Sequence, residues 1–314
     1  MTDLSHLALT ALVALALDAL IGWPPVLYAR LSHPVVWVGA LIAALDRRLN
    51  RGRARILRGV VLVVLVLAAV LVPVLALGAL LPPGWPGAVL AGLLGWPLVA
   101  ARSMHDHVAA VARPLAGADL PAARHAVSMI VGRDTRNADA PAIARAALES
   151  LAENASDGIF APLFWCAVAG LPGLAAYKAI NTMDSMIGHR TARYERFGKA
   201  AARLDDLVNL VPARLSAGLF ALASGWRAAA ALALAWRQAG QHRSPNAGWP
   251  EAAMAAALDV RLSGPRSYGD AVSAEPWVNG NAPDPGAADL SRGLALFRRA
   301  CWLAAAALAL MATL

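Results

Sequence analysis

From Gly59 to Leu81 the chain runs 23 residues without a charged side chain. As a helix this run rises about 34 Å, enough to cross a hydrocarbon core about 30 Å thick. In lipid a backbone must satisfy its own hydrogen bonds, so such a run commits the chain to helices that span a bilayer. Composition agrees: 59% of the residues are hydrophobic and 15% are charged, against roughly 25% charged in a soluble domain. Mean hydropathy is +0.54. A chain of this kind has too little polar surface to cover its core in water. The predicted fold class is all-α: a multi-pass membrane protein with polar, cytoplasm-facing segments between its apolar runs.

The other runs set the expected topology. Leu7 to Ile21 is apolar, is preceded by no Lys or Arg, and contains Asp18. It is expected to be a retained helix rather than a cleaved leader, which needs a basic n-region. Arg47, Arg48, Arg51, Arg53, Arg55 and Arg58 crowd the next polar stretch, which places it on the cytoplasmic side and the N-terminus outside. Pro82, Pro83 and Gly84 turn the chain, and Trp85 to Ala101 brings it back. Arg102 to Gly158 is polar but mixed, as in a folded segment rather than a linker.

Ile159 to Tyr177 is apolar but interrupted by Pro162, Gly170, Pro172 and Gly173, and Leu215 to Trp236 carries Arg227. If each crossed once, the net basic segment Lys178 to Arg214 would lie outside, against the positive-inside rule. One or both runs are therefore expected to be re-entrant, broken or buried in protein. Residues 237–292 read as polar, and Gly293 to Leu314 as a C-terminal helix. The expected organisation is a single membrane domain over 1–314: N-terminal helices in 1–101, a motif-bearing core in 102–292, and a last helix in 293–314. No internal repeat of fixed period is present.

Net charge is +8, and Lys178 and Lys199 are the only lysines among 28 basic residues. The arginines flank apolar runs and no nucleic-acid motif occurs, so the expected partners are the lipid bilayer and anionic ligands, not nucleic acid. Cys166 and Cys301 sit in apolar runs and read as small hydrophobes, not as a disulfide framework or zinc site.

Four polar constellations interrupt this apolar chain. Glu149, Glu153 and Asp157 recur every four residues and would share one helical stripe. Like charges at that spacing repel, so the stripe is either a metal site near the membrane surface or a solvated acidic face. Lys178, Asn181 and Ser185 share a second stripe, with Thr182 and Asp184 beside it. This face could hold phosphate through Lys178 and a metal through Asp184, or Lys178 simply snorkels at the interface.

Arg203, Asp205, Asp206, Asn209 and Arg214 form the third. Paired Asp residues with Asn one turn later suit magnesium, or a helix first turn. In the fourth, Ser244-Pro245-Asn246-Ala247-Gly248 and Tyr268-Gly269-Asp270 are tight loops in which Ser244 and Asn246 could bind a ligand or cap a helix. Arg133 and Arg136 flank Asp134 in a loop that is an anion nest or a plain turn. No phosphate loop of the G-x-x-x-x-G-K-[ST] kind and no dinucleotide-binding glycine fingerprint occurs.

Together these stretches resemble the CobD/CbiB family of membrane-bound adenosylcobinamide-phosphate synthases. The resemblance rests on "DALIGWPP" with "HPVVWVG", "ESLAENASDGIFAPLFW", "AYKAINTMDSMIGHR" with "YERFGKAAARLDDLVNLVPAR", and "SPNAGWPEAA", in that order along the chain. It implies a ligase that joins adenosylcobyric acid to aminopropanol phosphate or ethanolamine phosphate, with ATP as cosubstrate and Mg2+ as cofactor. It also implies an inner-membrane location with the site on the cytoplasmic side, and contacts that could extend to other membrane enzymes of cobalamin synthesis.

For that chemistry Glu153, Lys178, Asp184 and Asp206 are the catalytic candidates. Glu149, Glu153, Asp157, Asp184, Asp205, Asp206 and Asn209 are the metal candidates. Arg133, Arg136, Lys178, Asn181, Thr182, Ser185, Arg203, Arg214, Ser244, Asn246 and Tyr268 are the candidates for substrate phosphates. Two rival classes use the same features: an intramembrane magnesium-dependent prenyl- or phospho-transferase, and a transporter with Asp18 or Arg227 on its path.

Overall fold

The computed structural model describes residues 3–268, 271–273 and 275–314, with 266–268 and 271–273 described by their backbone alone. In chain order the helices are α1 Leu4–Ile21, α2 Pro25–Leu31, α3 Pro34–Leu49, α4 Arg55–Leu80, α5 Trp85–Gly95, α6 Ala101–Ala116, α7 Leu120–Ser128 and α8 Ala140–Ala155. They continue with α9 Ala161–Ile187, α10 Lys199–Val208, α11 Leu210–Ala223, α12 Ala228–Gln238, α13 Gly248–Leu258 and α14 Ala287–Met311. Four strands of two or three residues lie between α13 and α14: β1 Leu262–Ser263, β2 Arg266–Tyr268, β3 Ala271–Ser273 and β4 Trp277–Val278. β1 pairs with β4 and β2 with β3, both antiparallel. The all-α membrane class holds. Among the described residues six helical stretches are long and apolar enough to span a membrane, and the bent pair α10–α11 would make a seventh.

Helix starts follow local chemistry. Asp119 and Asp139 accept the backbone N–H of Ala122 and Ala142 at 3.1 and 2.9 Å, each with a proline in the first turn. Aspartate there satisfies a donor the helix cannot, and proline loses nothing.

Both awkward apolar runs are broken, as the prolines and glycines of the first and Arg227 in the second foretold. The first breaks inside α9 at Ala169 and Gly170, where Gly170 has φ +65°. The second breaks between α11 and α12 at Gly225, also at φ +65°. Arg227 stands at that break. It donates to Ala256 O at 2.9 Å and to Asp259 at 2.7 Å, so it closes the C-terminal end of α13. The sequence expectation for 237–292 needs correction: α13 is not polar surface but a buried helix, with ten of its eleven residues inside. At eleven residues it is too short to register as a membrane run.

The chain forms two compact units. The first holds residues 1–100, 161–209 and 305–314. In it α1 packs closely on α5, where Thr10 donates to Ala88 O at 3.1 Å and a Cβ on Gly92 would stand 2.6 Å from Val13. A core of Ile42, Leu62, Val66, Met183, Ile187 and Phe197 joins α3, α4 and α9 to the segment before α10. Asp46, at the end of α3, accepts from Arg193 at 2.5 Å and from Asn50 at 2.9 Å. The second unit holds residues 101–160 and 210–304. α13 lies at its centre against α8, α11 and α12.

Candidate functional site

In the first unit α9 and α10 bring the Lys178–Asp184 and Asp205–Asn209 motifs together. Tyr177 Oη donates to Asn209 Oδ1 at 2.9 Å, and Asn209 Nδ2 donates to Asp205 Oδ2 at 3.0 Å. Asp205 Oδ1 is buried and accepts nothing. Asp205 lies on α10, which has four charged residues in ten and stands outside the six spans. Its carboxyl is pushed up to about 7, first by burial and then by the Asp184 charge. The hydrogen bond from Asn209 and the nearby Asn181 carboxamide oppose the rise, and Asp206 adds a little to it. Asp206 is raised as well, by burial, against the pull of Arg203 and Arg190. Gly188 completes the face: a Cβ there would fall 1.9 Å from Asp184 Oδ1, so only glycine lets that carboxylate fold over the helix end.

Lys178, Asn181 and Ser185 do share one stripe of α9, graded from half-buried to exposed. Thr182 is buried beside them, and its hydroxyl donates to Lys178 O at 2.6 Å inside the helix. Arg203 is exposed, 4.0 Å from Asp206.

The acidic stripe of α8 needs a larger correction. α8 gives way at Ser156 to a turn of π-helix, so Asp157 leaves the line of Glu149 and Glu153. Glu149 is only 5% exposed. It pairs with Arg133 at 2.9 Å and accepts the N–H of Ser263 at 2.8 Å. Glu153 is exposed and Asp157 half-buried. Among the described residues no three of His, Cys, Asp or Glu stand close enough to hold a metal ion. The seven metal candidates therefore do not form one preassembled cage.

Arg133 and Arg136 do not make a nest either. Arg133 turns inward, while Arg136 is 85% exposed and pairs with Asp134 at 2.6 Å. That contact holds the Asp134 carboxyl down at about 2.

Ser244 behaves as a cap, its Oγ accepting from Asn246 N at 3.2 Å and Ala247 N at 3.3 Å. Asn246 is buried and accepts from Arg214 at 3.2 Å, and Arg214 stacks 4.7 Å from the Trp249 ring. These three candidates do meet, in the second unit. The side chain of Tyr268 and residues Gly269 and Asp270 lie outside the described residues.

Sequence reasoning missed His242 and Glu251. His242 Nδ1 accepts from Ser244 N at 3.0 Å, and its Nε2 lies 3.8 Å from buried Glu251 Oε1. The signal for Glu251 was a lone acid inside an Ala-rich helix. Also missed was Trp277, held between Arg145 and Arg261 at 4.7 and 4.4 Å, with Asp284 bonded to both arginines.

Residues 11–297 match the sequence family described as CobD/Cbib protein. The chain belongs to this family. It is 64% identical over 296 residues, 94% of each chain, to the cobalamin biosynthesis protein CobD of Rhodobacter capsulatus. It is 48% identical over 315 residues, 96% of each, to the protein so named in Sinorhizobium fredii. The protein so named in Brucella suis biovar 1 is 47% identical over 296 residues, 91% of this chain and 90% of its own. No solved structure matches. Every CobD/CbiB motif quoted above falls within the matched residues.

Proposed function

We propose that this protein is the amide ligase of cobalamin biosynthesis, joining adenosylcobyric acid to (R)-1-amino-2-propanol phosphate or ethanolamine phosphate with ATP. Family membership and the names of the relatives support the pathway. The observation that carries the chemistry is Asp205, a buried carboxylate with one oxygen lacking a hydrogen bond and two more acids, Asp184 and Asp206, acting on it or beside it. Such a face is poor company for an anion and good company for a cation.

The donor set is all oxygen, which fits magnesium. Magnesium takes one or two carboxylates and completes its shell with water and phosphate oxygens, so no three-acid cage is required. One or two of Asp184, Asp205 and Asp206 would hold it, with Asn209 fixing Asp205 in place. The ion supplies charge neutralisation at the ATP phosphates.

In the reaction the corrinoid carboxylate oxygen takes the γ-phosphoryl group and ADP leaves. The amine of the second substrate then attacks the acyl carbon, phosphate departs, and the ammonium proton passes to water. Lys178, with Asn181 and Ser185 on its stripe, would hold a phosphate group through this sequence. The inner membrane is the location, with the site on the cytoplasmic side: ATP is available there, and the six arginines from Arg47 to Arg58, around the α3–α4 turn, favour it.

Membrane vesicles test both parts. Inverted inner-membrane vesicles given cobyric acid, amino-alcohol phosphate, ATP and magnesium should form the amide and release ADP and phosphate, while right-side-out vesicles should not. Amide formation without ATP, or equal rates in both orientations, would sink this reading.

A further inference from the structure

Two stretches of the first unit that lie far apart in the chain bring their positive charges together. One holds the six arginines from Arg47 to Arg58, at the end of α3 and the start of α4. The other holds Arg190, Arg193 and Arg196, between α9 and α10, and Lys199 at the start of α10. Only two acids, Asp46 and Glu195, share these stretches. The fold ties the two together. Asn50 Nδ2 donates to Arg193 O at 3.3 Å, Arg55 donates to Ala192 O at 3.5 Å, and Arg193 pairs with Asp46.

Gathering so many like charges is unfavourable unless counter-charges are supplied. The chain supplies few. Asp46 is engaged by Arg193. Arg51 donates from Nε to Arg47 O at 2.8 Å, and Arg58 from Nη1 to Arg51 O at 2.6 Å. Those bonds shape the loop and neutralise nothing. Arg47, Arg48, Arg53, Arg190 and Arg196 are exposed, and among the described residues none of the five is in an ion pair.

The surface next to this charge identifies the counter-ion. α4 begins at Arg55 and is one of the helices long and apolar enough to span a membrane. Its first turns expose Leu57, Val61 and Val64 at 65%, 39% and 58%, and that spacing puts all three on one stripe. A basic patch continuous with an apolar stripe matches a molecule that is anionic at one end and apolar at the other. A soluble anion would use only half of it.

We propose that this patch binds an anionic phospholipid of the adjoining leaflet. Arginine forks from both stretches take its phosphate, and its acyl chain lies along Leu57, Val61 and Val64. Residues 188–198 link the helices that bear Asp184 and Asp206, so the bound headgroup also braces the turn beside the acidic face. The site stands whether or not the ligase reading does.

Native mass spectrometry of the full-length protein in detergent, titrated with phosphatidylglycerol or with neutral phosphatidylcholine, tests this. The wild type should retain phosphatidylglycerol selectively. Each basic residue at such a surface contributes about fivefold. Arg47→Gln, Arg48→Gln and Arg53→Gln together should therefore weaken phosphatidylglycerol about a hundredfold, and Arg190→Gln with Arg196→Gln about thirtyfold. The same substitution at three exposed arginines of the second unit, Arg113, Arg237 and Arg298, should leave its affinity unchanged. Phosphatidylglycerol should raise the melting temperature of the wild type and not that of the triple patch variant, while both should melt together in phosphatidylcholine. Equal retention of the two lipids would overturn the assignment. So would a loss in the second-unit variant as large as in the patch variants, or displacement of the lipid by glycerol 3-phosphate at matching concentration.

Discussion

Asp205 in the first unit and Glu149 in the second are both at least nine-tenths buried, and their surroundings are opposite. Glu149 has a guanidinium on one oxygen and a backbone N–H on the other. Asp205 has a carboxamide on one oxygen, nothing on the other, and acids for neighbours. Burying a charge is costly unless the fold supplies a partner. The fold does so for Glu149, which makes it a strut. It does not for Asp205, which points to a partner outside the chain. Equal burial and equal chemistry thus separate into architecture and function by what each oxygen touches.

The largest effect should come from breaking the strut. Glu149→Ala leaves Arg133 buried without its carboxylate and frees the Ser263 N–H, a loss of roughly 3–5 kcal/mol. Thermal unfolding in detergent measures it. A melting temperature close to wild type would mean that Glu149 is not the support described.

Asp205→Asn should do the reverse and stabilise. The folded carboxyl titrates at about 7, above its ordinary value near 3.9. The stability tied to its protonated form is present below pH about 4 and is lost as pH rises to about 7. In EDTA the variant should therefore exceed the wild type by on the order of 2–4 kcal/mol at pH 8, with the gap closing toward pH 4. Magnesium should narrow the gap at pH 8, and the variant should make no amide. A stability difference that ignores pH would contradict this account of Asp205.

A smaller loss is expected at Lys178. Arginine would serve a snorkelling role as well, but a compact ammonium with rotatable donors differs from a planar fork. Lys178→Arg should slow amide formation about ten- to a hundredfold, the value of a charged hydrogen bond to phosphate, nearly as much as Lys178→Ala. Full activity in the arginine variant would reduce Lys178 to an interfacial anchor.

Local features were legible in the sequence, and pairings across the chain were not. Proline and glycine foretold the break at Gly170 because they act on their own backbone, and a charge inside an apolar run, Arg227, foretold the one beside it at Gly225. The meeting of Asp184 with Asp205 could be suspected, since both belong to magnesium-like motifs. Glu149 was misread as part of a ligand stripe because its partner, Arg133, lies sixteen residues upstream, beyond any helical spacing. The π-turn at Ser156 also shifted Asp157 out of register, and nothing in the residues there announces it. A helix after Ser244 and Asn246 was foreseen as one use of their caps, but the burial of α13 was not, because eleven residues inside a polar stretch are too few to stand out as an apolar run.

Gly188 bears on how tolerance to mutation should be read here. No side chain, not even a methyl group, fits between its Cα and the Asp184 carboxylate. A saturation survey of this gene would therefore mark position 188 as intolerant as any acid in the cluster, though it carries no group that could touch a substrate. Ranking positions by lost growth would mix the residues that perform the chemistry with the one whose emptiness allows it. Only a readout that separates protein abundance from turnover would tell them apart.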